Sequence, residues 1–436
     1  MLSVPIHSAR PGMALALAVD HPEHPGHVLL RPGFVLDRPS IERLDDLGVP
    51  LVWIAYPGLE SVLKYINPAV ISQHAALAAT LGEALDPVAR RAGADLAFKD
   101  YARAIRGLIQ KLSEQPASQV LVRDIVGRNA PLVAHSSNVC FLSLLLGLKL
   151  DGYFIQQRAR LSPNSARNVE NLGIGALLHD CGVLDLPRAV IDRYTQTGDE
   201  ADPAWQEHVR LGYERVHGSV DATASSAVLQ HHQRFDGRGY PEVARPGTPS
   251  SARPLAGAEI HVFARVIAVA DLYDRFRARV SSPETCVGPA DEEMRGARTG
   301  TRWPVVRVLK RLLLESRRRG IDPIVFKALL HVVPAFCPGT IVQLNTGITC
   351  VVSQHHPLRP CRPCVRPVFR TVGVGGRADE QVGPEIDLRL RRDLWVAWAE
   401  GQSVATDLFE AGEPTEFDLR VLQPPRFAFK PTAAAA

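Results

Sequence analysis

The spacing of apolar residues changes several times along this chain, and the changes divide it into regions. Over the first 65 residues they come in short runs, Val28-Leu29-Leu30 and Leu51-Val52-Trp53-Ile54, bounded by Pro and Gly, which predicts short strands. Between these runs, residues 40–47 predict a short helix with Ser40 as its N-cap. From about Pro68 to Gln115 the spacing is helical, with Leu96, Tyr101, Ile105, Leu108, Ile109 and Leu112 recurring on one face. Further helices are predicted over 132–150, 166–179, 204–216, 220–232 and 256–277, with Pro, Gly, Asp and Asn at their joints. Residues 281–301 are polar and turn-rich and predict a loop or short irregular lid. Helix returns at 307–319, whose basic end is read as a solvated face, and at 324–330. Beyond it, 340–345, 348–353 and 365–374 are β-rich, and the tail 431–436 is expected to be disordered. The expected division is a small N-terminal α/β module (1–66), a helical connector (67–115), a helical domain (116–334), a β-rich extension (335–430) and the tail. The fold class is mainly α. No internal repeat is visible.

Composition narrows the function classes only modestly. Of 436 residues, 46% are hydrophobic and 22% charged, values of an ordinary globular chain. Fifty Lys and Arg against 46 Asp and Glu leave a formal charge of +4, too small an excess to argue for nucleic-acid or membrane-surface binding. The longest apolar stretch, 139–150, is interrupted by Ser143, Gly147 and Lys149, so no membrane span is expected. The N-terminus lacks the basic start and apolar core of a signal peptide. Seven scattered cysteines give no disulfide framework. A cytoplasmic protein with reduced thiols is expected.

The chemistry is concentrated in the helical domain. His231 and His232 run straight into Gln233-Arg234-Phe235-Asp236-Gly237-Arg238-Gly239-Tyr240-Pro241. Adjacent histidines before a rigid turn build a core poorly, but they can aim two imidazoles at one polar point. With His135, His179, Asp180, His208 and Asp271 they form a set of ligand-type side chains on or at the ends of predicted helices, as bundles build metal sites. Neighbouring ligands such as His179 and Asp180 point about 100° apart on a helix. They therefore suit two nearby ions, or a bridging carboxylate beside a terminal histidine. Imidazole with carboxylate favours iron, manganese, zinc or nickel over magnesium or calcium. Two such ions clamp a phosphate and make hydroxide available from a bridging water near neutral pH.

Gly175-Ala176-Leu177-Leu178-His179-Asp180-Cys181-Gly182, then His208, then the His231 to Pro241 stretch, then Arg265-Val266-Ile267-Ala268-Val269-Ala270-Asp271, resemble the HD-GYP family in order, spacing and residue type. This is a bacterial branch of the HD phosphohydrolases associated with cyclic di-GMP phosphodiesterase activity. The resemblance covers about 150 residues, from His135 to Asp274. It implies an all-helical metallohydrolase domain in which His135, His179, Asp180 and Asp271 hold one metal and His208, His231 and His232 the other, with Asp180 bridging. His179 and Asp180 would then be catalytic. Asp236, Gly239 and Tyr240 of the turn, with Arg277 and Arg279, are the candidate substrate contacts. Two divalent ions, iron or manganese first, are the implied cofactors. Cyclic di-GMP or a related nucleotide, signalling proteins and a second copy of the chain are the implied partners. Residues 1–60 are similar to a small module often fused before such domains, and Pro338-Gly339-Thr340-Ile341-Val342-Gln343-Leu344 resembles the β extension that often follows them.

Four features depart from the family pattern. Val183 stands where a phosphate-neutralising Lys is usual, and Pro131 where members with a third metal carry Glu. Gln233 replaces the usual Glu after the histidine pair, and Arg275, Arg277 and Arg279 are out of the usual basic register. The expected function is hydrolysis of cyclic di-GMP to pGpG, with GMP as a further product, through a metal-activated bridging hydroxide. The alternative is a catalytically weak or inactive receptor or scaffold, which Val183 favours. His217 and His261 are read as structural, Cys181 as a core residue, and Asp274 equally as a support for the site or a surface carboxylate. Cys361-Arg362-Pro363-Cys364, with His355 and His356 nearby, has metal-ligand spacing, but as a single pair it is read first as two ordinary cysteines.

Overall fold

The computed structural model describes residues 1–21, 27–90, 98–114, 131–245, 248–278, 302–372 and 378–412. The N-terminal part contains β1 (Leu2–Pro5), β2 (Val19–Asp20), β3 (Val28–Leu30), α1 (Arg38–Asp46) and β4 (Leu51–Ile54). β1 pairs antiparallel with β4, and β2 with β3. Helix α1 starts two residues before the sequence expectation. Its cap is Asp37, whose Oδ1 accepts the Ser40 N–H at 2.9 Å while Ser40 Oγ accepts the Asp37 N–H at 3.0 Å. Asp and Ser are comparable caps, and Pro39 decides between them, because its fixed φ suits the first helical turn and leaves Asp37 outside it.

The helical part runs through α2 (Pro68–Arg90), α3 (Phe98–Glu114), α4 (Pro131–Lys149), α5 (Asp151–Gln157), α6 (Pro163–Ala166), α7 (Glu170–Leu178), α8 (Arg188–Thr197), α9 (Pro203–Val216) and α10 (Ala222–Gln230). A hairpin of β5 (Val243–Arg245) and β6 (Thr248–Arg253) follows, then α11 (Val262–Ala278), α12 (Val305–Arg317) and α13 (Pro323–Val332). Helix α4 is long and apolar enough to cross a membrane by length and composition, but it is the central helix of the core, packed against α7, α11, α2 and α13. Tyr101, Ile105, Leu108 and Leu112 are fully buried along α3, as their spacing predicts, and Ile109 flanks them. Leu96, the loop at 281–301 and the tail lie outside the described residues.

Three predicted helices are shorter than expected: α11 starts at Val262 instead of 256, and two other shortenings matter to the site. The 166–179 run is broken, and α7 starts afresh at Glu170, whose N–H donates to Asn168 Oδ1 at 2.9 Å. The 220–232 run is capped by Asp221 and ends at Gln230, so His231 and His232 stand just past the last turn. Helices α5, α6 and α8 and the β5–β6 hairpin were not expected. All are short, and periodicity needs several turns to register.

Helix α11 carries Asp271 through the middle of the bundle. It is fixed by a buried network in which Arg265 Nη1 donates to Asp322 Oδ2 at 2.9 Å and the Tyr153 hydroxyl donates to the same oxygen at 2.7 Å. Asp322 also caps α13 through the Ile324 N–H. At the start of α11, His261 Nδ1 accepts the Phe263 N–H at 3.2 Å, and burial, with Arg158 and Arg265 nearby, holds this imidazole down to about 4. The neutral form is therefore favoured in the fold. Its contribution is fully present above the free-imidazole value of 6.5 and is lost as pH falls through 4. That gap corresponds to about 3 kcal/mol. Thermal melts of wild type and His261→Gln between pH 7 and 4 check this. The variant should lose less stability on acidification, and parallel pH profiles would exclude His261 as a source of the loss.

The C-terminal part is an antiparallel sheet of β7 (Ile341–Leu344), β8 (Thr349–Gln354), β9 (Cys364–Val372), β10 (Ala378–Val382), β11 (Ile386–Asp387), β12 (Val396–Ala399) and β13 (Gln402–Ser403). Its order is β10-β9-β8-β7-β12-β13, with β11 on β9. Cys350 and Val352 of β8 belong to the core of the helices, whereas Val351 between them belongs to the core of the N-terminal part. The fold is mainly α, with a mixed N-terminal part and a β-rich C-terminal part.

Candidate metal centre

His135 lies on α4, His208 on α9 and Asp271 on α11, while His179 and His231 cap the C-terminal ends of α7 and α10. The fold brings them together around Asp180, the residue after His179. Asp180 Oδ2 lies 3.4 Å from His179 Nε2 and 3.6 Å from His135 Nε2. Its other oxygen, Oδ1, lies 3.5 Å from His208 Nε2 and 3.4 Å from His231 Nε2. One carboxylate thus faces two groups of imidazoles. Ligand atoms of His135, His179 and Asp180 cluster within 4.8 Å of one another, as do those of Asp180, His208, His231 and His232. Asp271 Oδ1 joins the first group, 3.2 Å from His135 Nε2.

The hydrogen bonds decide which ring nitrogen is free. Nδ1 of His179, His208 and His231 lies 2.8, 2.6 and 2.6 Å from the carbonyl oxygens of Ala176, Trp205 and Val228, each three residues back in the chain. A carbonyl can only accept, so each Nδ1 carries the proton and each Nε2 presents a lone pair. His135 follows the same rule, with Nδ1 donating to Asp274 Oδ2 at 2.7 Å. Asn138 Nδ2 donates to the other oxygen of Asp274 at 3.1 Å. Asp274 is therefore a support for the site.

This arrangement fits transition-metal ions. Nε2 of His208 and of His231 are buried and have no hydrogen-bond partner, an arrangement that costs stability unless something electrophilic sits there. Burial pushes His208 down to about 4, and burial with the neighbouring His231 pushes His232 well below the usual imidazole range, so both stay neutral. Burial alone would raise Asp180 and Asp271. The histidines around Asp180, and Arg275 and His135 beside Asp271, outweigh it and hold both carboxylates ionised.

The sequence comparisons agree with this geometry. Residues 153–294 match the HD domain family, a third of the chain that contains His179, Asp180, His208, His231, His232 and Asp271. The matched region is an HD domain. The chain is 25% identical to the cyclic di-GMP phosphodiesterase PA4108 of Pseudomonas aeruginosa, over 94% of this chain and 98% of that one. It is 30% identical to the cyclic di-GMP phosphodiesterase response regulator RpfG of Xanthomonas campestris over 28% of this chain, and it spans 29% of that protein. It is 26% identical to the 3'3'-cGAMP-specific phosphodiesterase 3 of Vibrio cholerae over 35% of this chain, spanning 27% of that one.

The turn that follows His232 is built to stay rigid. A Cβ on Gly239 would stand 2.3 Å from Arg234 N and 2.4 Å from His232 O, so only glycine fits. Asp236 accepts from Arg234, at 3.3 and 3.1 Å, and from Arg238, at 2.9 Å, and so serves the turn itself. Tyr240 stacks on His232, with ring centroids 4.7 Å apart. Gln233 donates from Nε2 to Pro241 O at 2.5 Å and accepts the Leu255 N–H at 2.8 Å. The carboxylate of a Glu could make only the second bond, so the departure at this position has a structural reason.

Arg277 is turned toward other partners than the candidate metal centre. Its guanidinium pairs with Glu400 at 2.9 Å and donates to Trp303 O, on the side of the C-terminal sheet. Arg279 lies outside the described residues. Val183 packs in a small apolar cluster with Leu186, Val190, Tyr194 and Trp205. Pro131 opens α4 and is exposed. The CxxC pair does not form a joint site. Cys361 Sγ accepts from Phe409 N, whereas Cys364 Sγ lies 3.3 Å from His356 Nε2, near an Asp387 carboxylate already forked by Arg389. The sequence reading missed Glu200, Tyr194 and Trp205, and it noted Arg275 only as an arginine out of register. The i, i+4 spacing of Asp271 and Arg275 was the available signal.

Proposed function

We propose that this chain is a cytoplasmic metal-dependent phosphodiesterase that opens cyclic di-GMP to linear pGpG and releases GMP as a further product. The observation that supports this most is Asp180, whose two oxygens each face a separate group of imidazoles. His135, His179, Asp180 and Asp271 would hold one ion, and His208, His231 and His232, with Asp180, the other. Iron or manganese suits this nitrogen and oxygen set. When bound, two such ions would supply an activated water near neutral pH and offset charge on the phosphoryl oxygens. The chain's own part is to aim the lone pairs. Asp274 and the three helix carbonyls fix the rings, and Tyr240 fixes His232 by stacking. Pro131, which offers no carboxylate, supports two ions rather than three. In the same reading residues 1–66, 67–115, 116–334 and 335–430 are the N-terminal module, connector, HD-GYP domain and extension.

Val183 favours a second reading, a receptor that binds the dinucleotide and turns it over poorly. Anaerobic purification, metal analysis, and parallel assays of cyclic di-GMP and 3'3'-cGAMP separate the two readings. About two ions per chain with cyclic di-GMP turnover is the expected result. Tight binding with two ions and no turnover would favour the receptor, and protein that takes up no metal would overturn both. Val183→Lys buries a charge among Tyr194 and Trp205, so its kcat should rise less than about tenfold. A larger gain would show that this missing cation limits the rate.

A further inference from the structure

An anionic diester needs a cation at its non-reacting oxygens, and the position of Val183 supplies none. The structure holds a different cation against the centre. Arg275, one turn beyond Asp271 on α11, donates from Nη2 to Asp271 Oδ2 at 2.6 Å and from Nη1 to Glu200, which lies in the turn between α8 and α9. Tyr194 lies within electrostatic reach of the same guanidinium. The two carboxylates differ in setting. Asp271 is 3% exposed and Glu200 is 42% exposed. A partly solvated ion pair contributes little and exchanges readily, whereas a buried one does not. The Asp271 contact is therefore the permanent one, and the Glu200 contact is the one that another anion can replace.

A second observation marks the same place. Arg275 Nε and the Tyr240 hydroxyl are both buried donors without a hydrogen-bond partner. Both lie in the electrostatic reach of Glu200 and of Asp271, and Tyr240 stacks on His232. Unsatisfied donors beside a carboxylate that a phosphate could displace constitute an anion site in chemical terms.

We propose that Arg275 and Tyr240 form the subsite for a non-reacting phosphate oxygen of the substrate, and that Glu200 occupies it when no phosphate is bound. The subsite deepens the phosphodiesterase reading and gives this chain a cation from α11 in place of one at Val183. It also sets opposite signs for two substitutions. Removing Arg275 weakens phosphate binding, and neutralising Glu200 strengthens it, because the competing carboxylate is gone.

The test uses the full chain loaded with manganese and titrated with inorganic phosphate by calorimetry, with metal content measured for every variant. Arg275→Ala should bind phosphate about tenfold more weakly or worse, Arg275→Lys should fall between it and wild type, and Glu200→Gln should bind about threefold or more tightly. KM for cyclic di-GMP should move in the same directions. If both substitutions weaken binding, or neither changes it, the pair is structural and the subsite is wrong. If Arg275→Ala loses its metal, Glu200→Gln decides alone, and unchanged or weaker phosphate binding would overturn the proposal. Phosphate binding with the two opposite signs, but no turnover of cyclic di-GMP, would leave the subsite standing and remove the substrate assignment.

Discussion

Replacing Asp180 by Ala should abolish metal binding in both halves of the centre and lower turnover by about a thousandfold or more, roughly 4 kcal/mol of barrier. The reason is geometric. Each oxygen of Asp180 faces a different pair of imidazoles, so no other single residue of the set serves both groups. Removal also leaves the neutral His208 and the other rings without the carboxylate that links them. His179→Ala and His231→Ala each remove one ring from one half, and each should retain part of the metal content that Asp180→Ala loses. Metal analysis of the three variants checks the ranking. If Asp180→Ala keeps as much metal as either histidine variant, the carboxylate does not link the two halves.

Gly182→Ala should be the most damaging single-methyl change near the centre. The 3-10 turn at Cys181–Asp185 presses directly onto α9, and a Cβ on Gly182 would stand 2.0 Å from His208 O and 2.4 Å from Gly212 N. The obstacle is backbone on both sides, and Arg215 of α9 clamps the same turn through Asp185, so neither element can yield cheaply. Overpacking of this kind costs about 3 kcal/mol or more. It would push away the helix that positions His208. A fall in melting temperature together with reduced metal content is the expected result. Gly82→Ala is the control, since its nearest neighbour would be Val133 at 3.8 Å in ordinary contact. It should be neutral or slightly stabilising. Equal effects from the two substitutions would refute the close-approach argument.

Much of the site was legible because its candidate ligands are rare residue types in fixed order. His135, His179, Asp180, His208, His231, His232 and Asp271 could be picked out before any element was placed, and the fold brings all seven together. Their supports were less legible. Three of the four protons that fix the rings go to backbone carbonyls, which carry no residue signature. Asp274 stayed undecided, because a carboxylate three residues after a ligand looks the same on the surface as on a ring nitrogen. Arg277 was taken for a substrate contact because the resemblance places a basic segment after Asp271, yet its guanidinium pairs with Glu400, more than 100 residues further along the chain. Long helices were visible through their period, and their ends were not. Asp37 and Ser40 compete as caps, and α7 and α10 stop short so that His179 and His231 leave the helix.

Strand β8 alternates its loyalty residue by residue, with Cys350 and Val352 on one side and Val351 on the other. The sheet is thus a party wall. Neither neighbour can melt without stripping the plaster from the other, and heat should dismantle the N-terminal part and the bundle in one cooperative step. Any disturbance of the N-terminal part has a physical route to the bundle that carries the histidines, through the thickness of a single strand.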